Sequence, residues 1–171
     1  AAGFAAADVV IEREYDTKPM HQGYIEPHNF NVNWNKDGRL HVWLSTQGPF
    51  NIRSGMADVL DLPVSQTRVT PMEIGGGFGG KGTGYMEPVA AVLSRKTGHP
   101  VKMVMSRKEV FEGTGPSSGA FIRCKIGVDK SGKITAAQLH MIYEAGAFPG
   151  SPMAGGATSA LSAYKIDNVL I

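Results

Sequence analysis

Apolar and polar residues alternate along several short stretches of the chain, which is the pattern of β-strands that bury one face. Phe30 to Trp34 and Leu40 to Leu44 flank a turn that contains Asp37-Gly38, and an Asp-Gly pair tolerates the positive φ angles of a tight hairpin. Phe121 to Val128 and Ile134 to Tyr143 flank a second polar turn in the same way. The pattern therefore predicts two antiparallel hairpins. Further strands are predicted at Val9–Tyr15, Gln66–Ile74 and Val101–Met105.

Helical spacing of apolar residues occurs at two places. Pro49 suits the first turn of a helix, and the apolar residues that follow at helical spacing are Ile52, Met56 and Val59. Tyr85 to Lys96 is the second helix, and Gly98 is expected to end it. The buried stripe of this second helix is predicted to consist of Val89, Val92 and Leu93.

The order of these elements predicts an α+β fold, because hairpins alternate with one strand–loop–helix–strand unit. We expect a mainly antiparallel sheet with two or three helices packed on it, in two layers. Pro71 places the Gln66–Ile74 strand at an edge or at a bulge, and short helices are predicted at Arg107–Glu112 and Ala157–Ala163. Residues 1–8 are interpreted as a linker or an expression remnant, and residues 9–171 as one domain fragment.

Composition and charge argue against several classes of function. The chain has 171 residues with a net charge of +2, which is too small to indicate a nucleic acid or a membrane surface as partner. No apolar stretch has the length of a membrane span. Cys124 is the one cysteine, so this chain cannot form an internal disulfide, a cysteine zinc site or an iron–sulfur centre. We expect a globular protein of a reducing compartment, the cytoplasm.

The segment Gly75 to Lys81 reads GGGFGGK, and it is the strongest candidate for a functional site. Five glycines in six residues, interrupted by Phe78, indicate a loop that brings bare backbone amides against a large ligand. The GxGxxG spacing from Gly75 matches a dinucleotide fingerprint, but no acidic residue follows about 20 residues later to hold a ribose. The segment also matches most of a P-loop, but Gly82 stands where Ser or Thr should hold magnesium.

Two further interpretations of the glycines stay open at this point. One is a nucleotide-binding module whose loop only approximates a P-loop. The other is a structural or assembly module without ligand, in which the glycines serve close packing.

A third interpretation uses more of the chain, because several segments resemble the molybdenum hydroxylases. This is the family of xanthine dehydrogenase, aldehyde oxidase and the large subunit of carbon monoxide dehydrogenase. The segments that carry the resemblance are, in order, Tyr24-Ile25-Glu26-Pro27-His28, Leu40 to Thr46 ending in Gln47, Leu62-Pro63-Val64, GGGFGGK, Val101 to Arg107, and Tyr143 to Phe148. The resemblance covers nearly the whole chain from about Val9 onward, and it implies a fragment of the molybdopterin-binding region.

The resemblance implies a site made of one side chain and one loop. Gln47 would lie beside the apical ligand of molybdenum, where a neutral amide can donate a hydrogen bond without adding charge. The loop would pack beside the metal and offer backbone amides to the cofactor through Gly76, Gly77, Phe78 and Gly79. Other roles are open, since Gln47 could simply be a polar residue before a helix and Phe78 could be a core plug. Lys81 is either a charge partner or a solvated residue.

The resemblance also implies an activity and its partners. The parent enzyme would hydroxylate an aldehyde, an N-heteroaromatic ring or a related carbon with oxygen taken from water. Its cofactor would be molybdenum–molybdopterin, in the cytosine dinucleotide form if the source is bacterial. Partners would be the rest of the molybdopterin subunit, an iron–sulfur subunit or domain, often an FAD subunit, and a small-molecule substrate.

Departures from the family pattern limit these expectations. Xanthine-type enzymes carry Glu where Gly82 stands, and a basic substrate residue near the place of Ser117 in the Gly113–Gly119 loop, so xanthine is a poor substrate prediction. The glutamate that serves the family as general base lies far toward the C-terminus and has no counterpart here. The carboxylates closest to family-like segments, none at the base position, are Glu26, Glu87 and Glu144.

No catalytic residue and no metal ligand is therefore assigned. His21 and His28 lack a nearby third ligand, so they do not make a convincing metal site. We expect the isolated fragment to lack cofactor and activity.

Overall fold

The computed structural model describes residues 2–146 and 151–171, and the chain divides into two compact units. Ala1–Met20 and Ser118–Ile171 form the first unit, and His21–Ser117 forms the second. Each unit contains one four-stranded sheet, and the described residues include five α-helices, so the predicted α+β class is confirmed. None of the helices in the described ranges is long and apolar enough to cross a membrane.

The bounds of the elements, in chain order, are α1 Ala2–Ala5, β1 Val9–Thr17, β2 Asn29–Trp34, β3 Leu40–Ser45, α2 Pro49–Val59, a 3-10 turn at Val64–Gln66, β4 Thr67–Met72, α3 Glu87–Thr97, β5 Val101–Val104, α4 Arg107–Gly113, β6 Ala120–Val128, β7 Ile134–Tyr143, α5 Met153–Ser159 and β8 Val169–Leu170.

The first unit is built on the sheet β1-β6-β7-β8. The predicted hairpin of β6 and β7 is confirmed. Strand β1 pairs antiparallel with the free edge of β6. The hairpin turn is closed by Asp129, whose carboxylate accepts hydrogen bonds from the backbone N–H groups of Ser131 and Lys133. Helix α5 begins directly after Pro152, so the prediction of a helix at Ala157–Ala163 placed it too late. Part of the predicted Tyr143–Phe148 segment, residues 147 and 148, lies outside the described residues.

The second unit is built on the sheet β4-β3-β2-β5. Strand β2 pairs antiparallel with β3, as the Asp-Gly turn predicted, and also with β5. Strand β4 is parallel to β3 and forms an edge, which confirms the position inferred from Pro71. Helices α2 and α3 contribute to the core of this unit. The buried members of that core are Phe30, Val32, Leu40, Val42, Leu44, Ile52, Met56, Ala90 and Ala91.

The predicted buried stripe of α3 is wrong. Its members are largely exposed, with exposed fractions of 47% for Val89, 40% for Val92 and 41% for Leu93. The buried face consists instead of Glu87, Ala90, Ala91 and Ser94. Small side chains allow the helix to approach the sheet closely, and Ser94 adds a hydrogen bond by accepting from the backbone N–H of Trp34. The predicted end at Gly98 is confirmed, since this glycine adopts a left-handed conformation with φ of 72°.

Candidate functional site

The glycine loop follows β4 in the second unit and has an unusual backbone. Three residues have positive φ angles, which are 93° at Gly76, 47° at Phe78 and 91° at Gly79. Phe78 is the informative one, because a bulky residue in the left-handed region is strained. Its side chain is 73% exposed, so the alternative of a core plug is wrong. A strained loop that displays an aromatic ring has the character of a ligand-binding loop.

Gln47 holds the end of this loop through its side-chain amide. Its Oε1 accepts hydrogen bonds from the backbone N–H of Gly79 at 3.0 Å and of Lys81 at 3.2 Å. Its own backbone N–H donates to the carbonyl of Lys81 at 2.9 Å. Because two donors face Oε1, the orientation of the amide is fixed and Nε2 is the outer atom. Among the described residues Nε2 has no acceptor, and the side chain of Gln47 is exposed.

The glycines of the loop are required for two different reasons. A Cβ atom at Gly75 would lie 2.5 Å from Glu26 Cβ, one at Gly77 would lie 2.5 Å from Gln47 Oε1, and one at Gly80 would lie 2.7 Å from Tyr24 Cε1. A Cβ atom at Gly79 would meet nothing within 4 Å, but its φ of 91° disfavours other residues. Close packing therefore explains Gly75, Gly77 and Gly80, and backbone conformation explains Gly79. Both reasons apply to Gly76, which has a φ of 93° and whose Cβ would lie 3.1 Å from Tyr24 Cβ.

The remaining backbone donors of the loop are concentrated in its middle. The N–H groups of Gly76, Gly77 and Phe78 donate to no group within residues 2–146 and 151–171. The N–H of Gly79 is already taken by Gln47, so it is not the free donor that the resemblance implied. Successive backbone N–H groups in such conformations form concavities that bind anionic or electron-rich groups. Together with Gln47 Nε2, they give this loop a set of donors that have no acceptor among the described residues.

Lys81 closes the loop as a charge partner and not as a solvated residue. It is only 1% exposed, and its Nζ lies 2.6 Å from Glu26 Oε2 and 3.1 Å from Ser45 Oγ. It also lies 5.1 Å from the ring centroid of Tyr24, within the range of a cation–π interaction. Partial burial alone would raise the pKa of Glu26, but hydrogen bonds from Lys81, Gly75 and Asn29 outweigh it and lower this pKa to about 2.

His28 belongs to the layer beneath the loop. It is 4% exposed, and its Nε2 lies 2.7 Å from the hydroxyl of the buried Tyr24. Burial, followed by the charge of Lys81 and the proximity of His21, lowers the pKa of His28 to about 4. His28 is therefore neutral at pH 7. The described residues contain no group of three His, Cys, Asp or Glu side chains that could hold a metal ion.

The geometry argues against both nucleotide motifs. A P-loop lysine must reach phosphates, whereas Lys81 Nζ is buried against Glu26. Helix α3 begins only at Glu87, so the loop does not lead directly into a helix N-terminus. Glu87 is 1% exposed, and its carboxylate accepts a hydrogen bond from the backbone N–H of Tyr85 at 2.6 Å. A carboxylate of the protein therefore takes the position beside this amide that a bound phosphate would need. Burial raises the pKa of Glu87, and backbone hydrogen bonds oppose this.

Sequence reasoning located Gln47 and the loop, but it did not identify the groups that support them. Gln47 contacts Gly77 and Gly79, so these predicted site residues come together in one place. Glu26 and Tyr24 were not predicted to support the loop, although both lie in the Tyr24–His28 segment that the resemblance marked. Ser117 is exposed in the second unit, and Glu144 belongs to the first unit.

A strained glycine loop whose backbone donors lack acceptors among the described residues is typical of a ligand-binding domain. A family model described as the molybdopterin cofactor-binding domain matches residues 1–171, and the chain therefore belongs to that family.

The names of two relatives refer to molybdopterin or to molybdenum. The chain is 35% identical over 147 residues to the nicotinate dehydrogenase large molybdopterin subunit of Eubacterium barkeri, which covers 86% of this chain and 35% of that protein. It is 33% identical over 144 residues to the xanthine dehydrogenase molybdenum-binding subunit of Escherichia coli O157:H7, covering 84% of this chain and 19% of that protein. Thus the chain spans about a third or less of the length of these relatives.

Solved structures share the fold. Quinoline 2-oxidoreductase from Pseudomonas putida 86 superposes with a TM-score of 0.72 at 24% identity, covering 99% of this chain and 22% of that one. At this identity the likeness concerns the fold alone. The resemblance to the molybdenum hydroxylases is confirmed by the family model and the named relatives.

Proposed function

We propose that this chain forms one wall of the molybdenum–molybdopterin site of a molybdenum hydroxylase. The residues that contact the cofactor are Gln47, Gly76, Gly77, Phe78 and Gly79. Gln47 Nε2 and the N–H groups of Gly76 to Phe78 donate hydrogen bonds to it, the exposed ring of Phe78 packs against it, and Gly79 gives the loop its turn.

One observation carries the proposal. The two hydrogen bonds that Gln47 Oε1 accepts from Gly79 and Lys81 leave Nε2 as an oriented, exposed donor beside the loop. The cofactor of this family presents oxygen and sulfur acceptors, so a neutral donor suits it without adding charge. The nearby N–H groups of Gly76 to Phe78, which have no acceptor among the described residues, suit a large, electron-rich group.

The chemistry of the parent enzyme follows from the cofactor. When bound, molybdenum–molybdopterin supplies the oxidation of a carbon centre with oxygen taken from water. The residues of this chain bind and orient that group, and we assign no general base among the described residues. We propose an aldehyde, an N-heteroaromatic ring or a related carbon as substrate. Gly82 and the exposed Ser117, in place of an acidic and a basic residue, favour a substrate that is less polar than xanthine or anchored differently.

The proposal also includes the chemical form of the cofactor, the partners of this chain and its cellular compartment. The cofactor is the cytosine dinucleotide form, and the site is completed by the remainder of the molybdopterin subunit. Electrons pass to an iron–sulfur subunit or domain and often onward to FAD, in the cytoplasm. We expect the isolated 171-residue chain to lack cofactor and activity, since it spans 35% of the nicotinate dehydrogenase subunit and 19% of the xanthine dehydrogenase subunit named above.

Gln47→Glu in the intact protein that carries this sequence separates the two roles of the amide. A glutamate retains acceptors for Gly79 and Lys81 but replaces the outward donor with an oxygen. We expect about ten- to hundredfold weaker retention of molybdenum and pterin, measured by elemental analysis and pterin fluorescence, while the loop stays ordered.

A matched control and a contrary outcome make this test decisive. Gln138→Glu makes the same change at an exposed position of β7 and is expected to leave the metal content unchanged. Wild-type molybdenum and pterin content in Gln47→Glu would show that Nε2 does not contact the cofactor.

A further inference from the structure

We propose that Glu26 is the positioning residue that sets the geometry of the glycine loop by holding both of its ends. Its Oε2 accepts from the backbone N–H of Gly75 at 2.7 Å, where the loop begins. The same atom accepts from Lys81 Nζ at 2.6 Å, where the loop ends. One carboxylate oxygen thus joins the two ends of a seven-residue segment.

Glu26 is itself fixed on its other sides. Its backbone N–H donates to the carbonyl of Gly75 at 3.1 Å, so Glu26 and Gly75 are joined by two hydrogen bonds. Its second oxygen, Oε1, accepts from Asn29 Nδ2 at 2.9 Å, and Asn29 is the first residue of β2. The loop is therefore tied through Glu26 to the central hairpin of the sheet.

The ion pair between Glu26 and Lys81 is stronger than an ion pair at the surface, because Lys81 is buried. Lys81 is 1% exposed, and the side chain of Glu26 is 27% exposed. A buried ammonium needs a paired charge, since removal of one partner leaves the other desolvated without compensation. Lys81 Nζ can otherwise reach only the hydroxyl of Ser45 and the face of the Tyr24 ring among the described residues.

The loop needs such a constraint because of its strain. Phe78 has a φ of 47°, and a left-handed conformation of a bulky residue persists only where the surroundings determine it. Gln47 fixes Gly79 and Lys81, but it makes no hydrogen bond to the first half of the loop. Glu26 supplies the missing anchor at Gly75. The donors of Gly76 to Phe78, between these anchors, are positioned by Glu26 and Gln47 together.

The inference concerns loop geometry, and its importance for the cofactor rests on the proposed function. The test is hydrogen–deuterium exchange of the intact protein, followed on peptides that span residues 74–82. In Glu26→Gln we expect exchange of these peptides to be at least about tenfold faster, while peptides of α2 exchange as in the wild type. In the fraction that retains the cofactor, the electron paramagnetic resonance signal of pentavalent molybdenum is expected to change.

Glu12→Gln is the matched control, because Glu12 forms an exposed ion pair with Lys125 at 3.4 Å in the first unit. It is expected to leave exchange of residues 74–82 unchanged. Should Glu26→Gln fail to fold, Glu26→Asp keeps the charge near Lys81 but is too short to reach both ends of the loop. It is then expected to raise exchange in the same peptides by a smaller factor.

Wild-type exchange of residues 74–82 in a folded Glu26 variant would overturn the inference, whatever the cofactor content. Faster exchange with loss of molybdenum supports both the inference and the proposed function. Faster exchange with wild-type molybdenum content and an unchanged resonance signal supports the positioning of the loop by Glu26, and it refutes the cofactor contact proposed above.

Discussion

Acidification is expected to destabilise the second unit through His28. This imidazole is 4% exposed and contacts the hydroxyl of Tyr24. Burial, together with the charge of Lys81 and the proximity of His21, lowers its folded-state pKa from 6.5 to about 4. The unfolded chain therefore binds this proton at a higher pH than the folded protein does. The stability that depends on neutral His28 is therefore fully present above about pH 6.5, and it is lost as the pH falls toward 4.

The size of the effect follows from the two pKa values. Between pH 7 and pH 5, His28 lowers the free energy of unfolding by about 2 kcal/mol. Glu26 contributes little in this window, because its folded pKa is about 2 and its loss of stabilisation begins only near the ordinary pKa of 4.5. Burial also lowers the pKa of His41, which adds to the effect, and raises the pKa of Glu87, which opposes it.

Urea unfolding of the wild type and of His28→Gln at pH 7, 6 and 5 isolates the contribution of His28. The other titrating groups are common to both proteins, so they cancel in the difference between the two pH dependences. The wild type is expected to lose about 2 kcal/mol more than His28→Gln over this range. The exposed His99→Gln serves as control and should follow the wild type. Parallel losses in wild type and His28→Gln, or an NMR titration midpoint of His28 near 6.5, would refute the reasoning.

Two further predictions concern packing and a helix end. Gly77→Ala places a Cβ 2.5 Å from Gln47 Oε1 and is expected to cost about 1–3 kcal/mol, whereas Gly82→Ala meets only a carbonyl at 3.6 Å and should be nearly neutral. Equal melting temperatures of these two variants would contradict the packing argument. Ser106→Ala removes the capping box of α4 and is expected to cost about 1 kcal/mol by denaturant unfolding. The exposed Ser65→Ala is its control, and equal stability of both would contradict it.

Features governed by neighbouring residues in the sequence could be predicted. The β2–β3 turn depends on Asp37-Gly38, the edge position of β4 on Pro71, and the end of α3 on Gly98. Each of these acts through its own backbone angles or a missing N–H group, so its effect does not depend on distant contacts. The glycine loop was marked as a candidate site by its five glycines, and Gln47 was added only through the resemblance to the molybdenum hydroxylases.

The buried face of α3 could not be predicted from the same kind of pattern. The large apolar residues at helical spacing suggested one face, but the helix packs through Ala90, Ala91 and Ser94. Spacing indicates which residues share a face, and it does not indicate how closely a sheet approaches that face. The pairing of Glu26 with Lys81 was also hidden, because the two residues lie 55 positions apart and only the fold brings them together.

The loop also shows why close packing and ligand binding were not true alternatives for its glycines. Cβ atoms at Gly75 and Gly77 would collide with Glu26 and Gln47, the two side chains that hold the loop. The same approach leaves the N–H groups of Gly76 to Phe78 without acceptors among the described residues. The close contacts with Glu26 and Gln47 therefore also fix the backbone that carries these N–H groups. A loop with ordinary side chains could not approach its anchors so closely, and the amides that we propose as cofactor donors would not be held by Glu26 and Gln47.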